Sequence, residues 1–339
     1  VCCMPNTVPA LDNEAQIEYV LLLGERAGLA NVFPIGAITK GRKGEELTEM
    51  TLLSDAGAVA FSDDGSNIDR ADVMKKALEY STMLNKVIMI HAEDTSLCGG
   101  AMNAGFMSMK LGLPGNPAAA EDVIVARDVI LSRLTGGRVH VCHISSGASV
   151  ELVRRAKLEG LKVTAEVTPH HLFFTDADCA GYDTAFKMAP PLRTEDHRKA
   201  LLDGLRDGTI DCIATDHAPH TEEKKALSFV EAPFGVIGLE TTLPVCYTKL
   251  VETKILSLSQ FIATLTCKPA RLLDLRGKGT LAPGADADVT VIDVRASHAI
   301  RKDRFQSKCR NSPFHGLKTR GWATQVIVGG KVFHNPVGE

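Results

Sequence analysis

From its first residue to about residue 275 the chain alternates short β-branched or apolar runs with longer segments of helical periodicity, which restricts it to folds built on a parallel sheet. Runs at 1–4, 32–38, 58–61, 87–90, 139–143, 163–167 and 212–214 predict seven strands. Between them, apolar spacing predicts helices over 71–83, 121–134, 148–159 and 195–206. The last is opened by Thr194 as an N-cap, with Glu195 and Asp196 in its first turn. Seven parallel strands fit an open doubly wound sheet or a barrel. The chain starts at Val1, in what reads as the end of a strand, so the expected α/β architecture is a (β/α)8 TIM barrel lacking its first strand. The expected domain limits are 1–275 for the barrel and 276–339 for the C-terminal part of a small β-sandwich domain. There Gly277, Gly279, Pro283 and Gly284 break the rhythm, and strands are predicted at 287–292, 324–328 and 331–333 about a Gly329-Gly330 turn.

The strand runs end repeatedly in an acid or a histidine. The run at 58–61 leads into Asp63 and Asp64, that at 87–90 into His91, that at 139–142 into His143, and that at 212–215 into Asp216. In a barrel all these ends converge on one face, where active sites of that architecture lie. Singly, each has an ordinary explanation: a histidine satisfied within the structure, or an aspartate capping the next helix. Four together would each bury a polar group without common purpose, unless the purpose is a metal. Imidazole with carboxylate suits a divalent ion such as zinc, and a carboxylate can bridge two ions. The chemistry this predicts is metal-assisted hydrolysis. By the two-residue period, His140 faces the other way from His143 and reads as structural, while His170 and His171 are candidates to stand behind the ligands.

Other classes are disfavoured. A formal charge of -3, with acids and bases mixed and only one Trp and four Tyr, gives neither a phosphate-neutralising stripe nor stacking platforms, so no nucleic-acid partner is expected. No run approaches the roughly 20 apolar residues a membrane span needs. Nine scattered cysteines without a CxxC pair read as reduced thiols, giving a cytoplasmic expectation. The segment from Gly36 to Lys43 lacks the Lys-Ser/Thr of a phosphate loop and reads as a basic loop.

With these residues identified, Met4-Pro5-Asn6-Thr7, Phe61-Ser62-Asp63-Asp64-Gly65, His91-Ala92-Glu93, Thr215-Asp216-His217-Ala218-Pro219-His220 and Pro233-Phe234-Gly235 resemble the motifs of bacterial class I dihydroorotases in the amidohydrolase superfamily. The resemblance covers essentially the whole chain. It implies reversible hydrolysis of the cyclic amide of dihydroorotate to N-carbamoyl-aspartate, in pyrimidine biosynthesis, with two zinc ions. By it, Asp64 bridges the ions, His91 and His143 hold one, and Asp216 binds the other and shuttles the proton. Asn6 and His220 bind the substrate carboxylate, and backbone around Phe234 and Gly235 meets the ring. The choice of Asp64 over Asp63 comes from the family's spacing alone.

Two departures stand out. The family's His-x-His followed by Arg is absent, so this chain by itself is expected to be impaired; and Ala189 replaces the asparagine that touches substrate in many relatives. The competing readings are an allantoinase or dihydropyrimidinase-like cyclic amidase, and a silent scaffold subunit of aspartate transcarbamoylase. The first usually bridges its metals with a carboxylated lysine, which residues 58–65 do not contain; the second tends to lose metal ligands. A small-molecule substrate is the expected partner; transcarbamoylase association and a homo-oligomer stay open.

Overall fold

The computed structural model describes residues 1–334. All seven predicted strands form: β1 (Cys2–Cys3), β2 (Phe33–Ala37), β3 (Ala60–Ser62), β4 (Val87–Ile90), β7 (Arg138–Val141), β8 (Val163–Val167) and β9 (Cys212–Ile213). Between β4 and β7 the short strands β5 (Met102–Asn103) and β6 (Gly115–Asn116) pair with each other. The seven make one parallel sheet in the order β1-β2-β3-β4-β7-β8-β9, edged by β1 and β9. Spatial order follows chain order without reversal. A doubly wound sheet would reverse at a switch point, so the barrel-type curl is the architecture present.

Side chains alternate between two apolar layers, as the strand period requires. Phe61, Ile88, Val139 and Val141 pack outward with helix residues such as Ile17, Leu78, Val125 and Val150, while Ile35, Ala60, Val87, Met89 and Cys142 line the inside of the curl. The helices span Ala71–Leu84, Ala119–Thr135, Gly147–Leu158 and Glu195–Asp207, close to expectation. Thr194 takes the N-cap position, but its hydroxyl makes no capping bond; Glu195 and Asp196 are left to meet the helix's positive end.

Beyond the barrel, β10 (Val289–Ala299), β11 (Lys318–Val328) and β12 (Lys331–His334) form a three-stranded antiparallel sheet, and Gly329 and Gly330 turn the hairpin at positive φ. In this single layer, Gly321 sits at φ 77° with an added Cβ falling 2.3 Å from the Tyr247 ring. Gly321→Ala is therefore expected to cost about 1–3 kcal/mol, read as a lower thermal midpoint with proteolysis first near the C-terminal sheet. An unchanged midpoint would show that this contact does not constrain the docking. A further apolar cluster, with Phe174, Met188, Val236, Phe305, Phe314 and Trp322, packs the barrel's loops against the segment between β10 and β11.

Candidate metal centre

The rim of the sheet where β3, β4 and β7 end carries Asp64, His91 and His143. His143 stands at φ 34°, a strained turn for a non-glycine residue that bends the chain directly after β7. The flanking amides stay paired, Cys142 N–H to the Ile90 carbonyl at 3.1 Å and Ile144 N–H to the Glu166 carbonyl at 2.9 Å, so the bend is held in place. His91 Nδ1 lies 3.1 Å from His143 Nε2, His143 Nε2 lies 3.3 Å from Asp64 Oδ1, and His91 Nδ1 lies 3.7 Å from the same oxygen. Tetrahedral ligands at zinc–nitrogen distances stand about 3.3–3.4 Å apart. The donor set therefore fits a divalent ion without rearrangement.

The supporting contacts fit as well. His91 Nε2 lies 3.0 Å from Glu93 Oε2, which fixes the ring and turns Nδ1 to the centre, the usual arrangement for a metal-binding imidazole. Burial alone would raise the Asp64 carboxyl, but His143 and His91 reverse this and hold it well below the ordinary carboxylate range. Burial would likewise lower His91, yet Asp64 and Glu93 push it up to about 10. Two carboxylates around two imidazoles demand positive charge, which protons or a metal cation can supply.

Asp63 does different work from its neighbour. Its Oδ1 accepts the amides of Ile38 and Thr39 at 2.8 and 3.1 Å, and its Oδ2 accepts the Thr39 hydroxyl. Occupied on both oxygens, Asp63 ties the β2 rim to the β3 rim, and Asp64 is the one of the pair that faces His91 and His143. Arg42, from the basic loop, donates to the Asp64 carbonyl at 2.6 Å. Glu121, 1% exposed, accepts the Ser145 and Ser146 amides at 3.0–3.1 Å and the Ser145 hydroxyl, clamping the chain two residues past His143. None of these roles had a local sequence signal.

Asp216 stands outside the closed trio, just beyond β9 at φ 43°, partly exposed. Burial pushes its carboxyl up, while His143 opposes the rise. Asn6 is exposed, with Nδ2 3.5 Å from Asp64 Oδ2. The other predicted residues gather in a second group. His220 Nε2 lies 2.7 Å from the Phe234 carbonyl, and Ala218 N–H donates to the Val236 carbonyl at 2.9 Å, so the chain past Asp216 runs beside residues 234–236. Gly235, at φ 143°, donates to the Lys187 carbonyl at 2.9 Å, two residues before Ala189; an added Cβ would stand 2.8 Å from Ala218 Cβ, so only glycine fits. His171 Nε2 lies 2.9 Å from the Pro190 carbonyl, beside Ala189.

Sequence reasoning missed the scaffold of this loop. Lys225 Nζ donates to the Pro233 and Gly235 carbonyls at 3.0 and 3.2 Å, and burial brings its ammonium down to about 8. Lys187 Nζ donates to the Val230 and Ala232 carbonyls at 2.9 and 2.6 Å and lies 4.5 Å from the Phe234 ring centre. Asn311, from the segment between β10 and β11, donates to the Ala218 and Gly235 carbonyls at 2.9 and 3.1 Å, and accepts the His220 amide at 3.3 Å.

Comparison with known proteins adds the following. The family model described as dihydro-orotase-like matches residues 1–149, and that of the amidohydrolase family matches 137–334. A protein named dihydroorotase from Pelotomaculum thermopropionicum is 52% identical over 333 residues, covering 98% of this chain and 78% of the relative. Another of that name, from Endomicrobium trichonymphae, is 48% identical with shares of 98% and 79%. Among solved structures, L-hydantoinase (dihydropyrimidinase) from Arthrobacter aurescens superposes with a TM-score of 0.87 at 27% identity, covering 100% of this chain and 77% of that one. Dihydropyrimidinase from Brevibacillus agri NCHU1002 gives a TM-score of 0.82 at 20% identity, with shares of 98% and 75%, and speaks for the fold alone.

Proposed function

Since the chain belongs to the dihydroorotase family of metal-dependent amidohydrolases, we propose that its catalytic machinery is the Asp64–His91–His143 trio together with Asp216. The activity is that of a cyclic-amide hydrolase opening dihydroorotate to N-carbamoyl-aspartate. The observation that carries the site assignment is the convergence of His91 Nδ1, His143 Nε2 and Asp64 Oδ1 at 3.1–3.7 Å. Imidazole with carboxylate favours zinc among divalent ions. A divalent cation bound there supplies Lewis acidity, acidifying a water and polarising the ring carbonyl.

The chain's own residues do the rest. Asp64 and Glu93 fix the two imidazoles and balance the charge of the centre. Asp216, its carboxyl raised by burial, accepts the proton of the attacking water and returns it to the departing ring nitrogen. Asn6, beside Asp64, and His220 bind the substrate carboxylate, and the backbone at Phe234 and Gly235, braced by Lys187, Lys225 and Asn311, meets the ring edge. At Ala189 there is no side-chain hydrogen bond to offer, so the contact falls to backbone. We assign residues 1–275 to the hydrolase unit and 276–339 to a second β unit, of which 335–339 lie outside the described residues. Nine free cysteines support a cytoplasmic setting.

The test is kinetic. Protein expressed from its complete gene and supplied with zinc is expected to favour dihydroorotate over hydantoin, dihydrouracil and allantoin by at least about a hundredfold in kcat/KM, because sites built on polar recognition reject analogues lacking the partner group. Faster opening of hydantoin or allantoin would overturn the substrate assignment, and a principal metal other than zinc on elemental analysis would overturn the metal.

A further inference from the structure

Beneath the rim, the inside of the curled sheet holds a second set of metal-ligating atoms. His140 on β7, Cys142 just past it and Glu166 on β8 each offer one atom, all within 4.8 Å of one another. His140 and Cys142 point inward by the strand period, on the opposite side from Val139 and Val141, among Ile35, Ala60, Val87 and Met89.

The hydrogen bonding of His140 leaves a deficit. Its ring is completely buried, with Nδ1 2.8 Å from the Thr164 hydroxyl oxygen. That hydroxyl also lies 3.4 Å from the Val139 carbonyl, so it can pass its proton there, accept the Nδ1 proton and leave the Nε2 lone pair free for a cation. Nε2 has no hydrogen-bond partner and lies 3.1 Å from Glu166 Oε2. In that tautomer Nε2 and the Glu166 carboxylate face each other with no proton between them, and a metal cation is what would reconcile them. An imidazole whose far nitrogen is anchored to a neighbouring oxygen while the near one faces a carboxylate and a thiol matches the usual surroundings of a metal-binding histidine.

We infer that His140 Nε2, Cys142 Sγ and Glu166 form a metal site separate from the rim centre, suited to a borderline-soft divalent ion such as zinc. Imidazole, thiolate and carboxylate are all zinc donors, and the His140–Glu166 spacing already suits tetrahedral coordination. Rotation of the Cys142 and Glu166 side chains closes the rest, and binding releases the thiol proton to solvent. The ion would pin β7 to β8 from inside the sheet.

Cobalt distinguishes the two centres, because Asp64, His91, His143 and Asp216 carry no sulfur. Cobalt titrated into the metal-free full chain is expected to give a near-ultraviolet thiolate-to-cobalt charge-transfer band saturating at one ion per chain. Cys142→Ser is expected to abolish the band, His140→Gln to weaken the cobalt affinity at least about tenfold, and Asp64→Asn to leave it intact. Absence of the band in the unsubstituted protein at saturating cobalt would overturn the site and leave a proton between His140 and Glu166. A band of equal strength in Cys142→Ser, or one lost in Asp64→Asn, would overturn it equally. Because the readout is a sulfur band, its failure leaves the assignment of the rim centre untouched.

Discussion

Asp216→Asn is expected to lower kcat for dihydroorotate by at least about a thousandfold while leaving KM within a few-fold and the fold unchanged. Asparagine has the shape of aspartate but neither accepts nor releases the proton, and it binds a cation far less well. The choice of variant matters because residue 216 stands at φ 43°, a conformation Asn and Asp adopt more readily than Ala. Strain therefore does not confound the comparison. Steady-state kinetics beside circular dichroism make the measurement; a kcat within tenfold of the parent would remove Asp216 from the proton path.

Glu121→Ala carries the largest expected effect on stability, about 3–5 kcal/mol, with loss of metal binding at the rim as its companion. The buried carboxylate is the shared acceptor for the amides of Ser145 and Ser146 and the hydroxyl of Ser145. Ser145 Oγ in turn accepts Arg193 Nε at 3.1 Å, and Arg193 Nη1 reaches Asn103 Oδ1 at 3.1 Å and the Asn116 carbonyl at 2.7 Å. Truncation leaves two buried amides without partners and removes an acid whose charge favours the 3% exposed Arg193 guanidinium. The loosened segment begins two residues after His143. Calorimetric unfolding with zinc titration reads both effects; an unchanged midpoint with unchanged zinc affinity would show that the clamp is dispensable.

The strands were readable because buried parallel strands are continuous β-branched runs, and the runs at 87–90 and 163–167 coincide with β4 and β8. The rim acids and histidines were readable because a strand's end is a position that sequence reports. What a residue touches across 24 or more positions is not reported. Asp63 and Asp64 are chemically identical in sequence, and only the Ile38 and Thr39 amides reveal that the first is already occupied. The same holds for Glu121, which resembles any acid in the first turn of a helix, and for Asn311, more than 70 residues from either carbonyl it supports. The two-residue period did turn His140 away from His143, but could not show that Glu166 stands opposite it. At the C-terminus, β10 runs to Ala299, past the expected end at 292, because residues 297–299 re-pair with 318–320 after a register shift in a stretch without apolar alternation.

The bracing of Gly235 by Lys187, Lys225 and Asn311 has an evolutionary corollary. The three atoms of the trio come from Asp64, His91 and His143, whereas the backbone proposed to face the ring hangs from residues far downstream. On the proposed assignment, ring choice can thus change without touching the trio, while Asp216 leads into the segment that Asn311 also holds. Lineages sharing this hydrolytic rim can drift in diet by altering the braces alone, and a designer seeking a new cyclic amide would randomise positions 187, 189, 225 and 311 before touching any ligand.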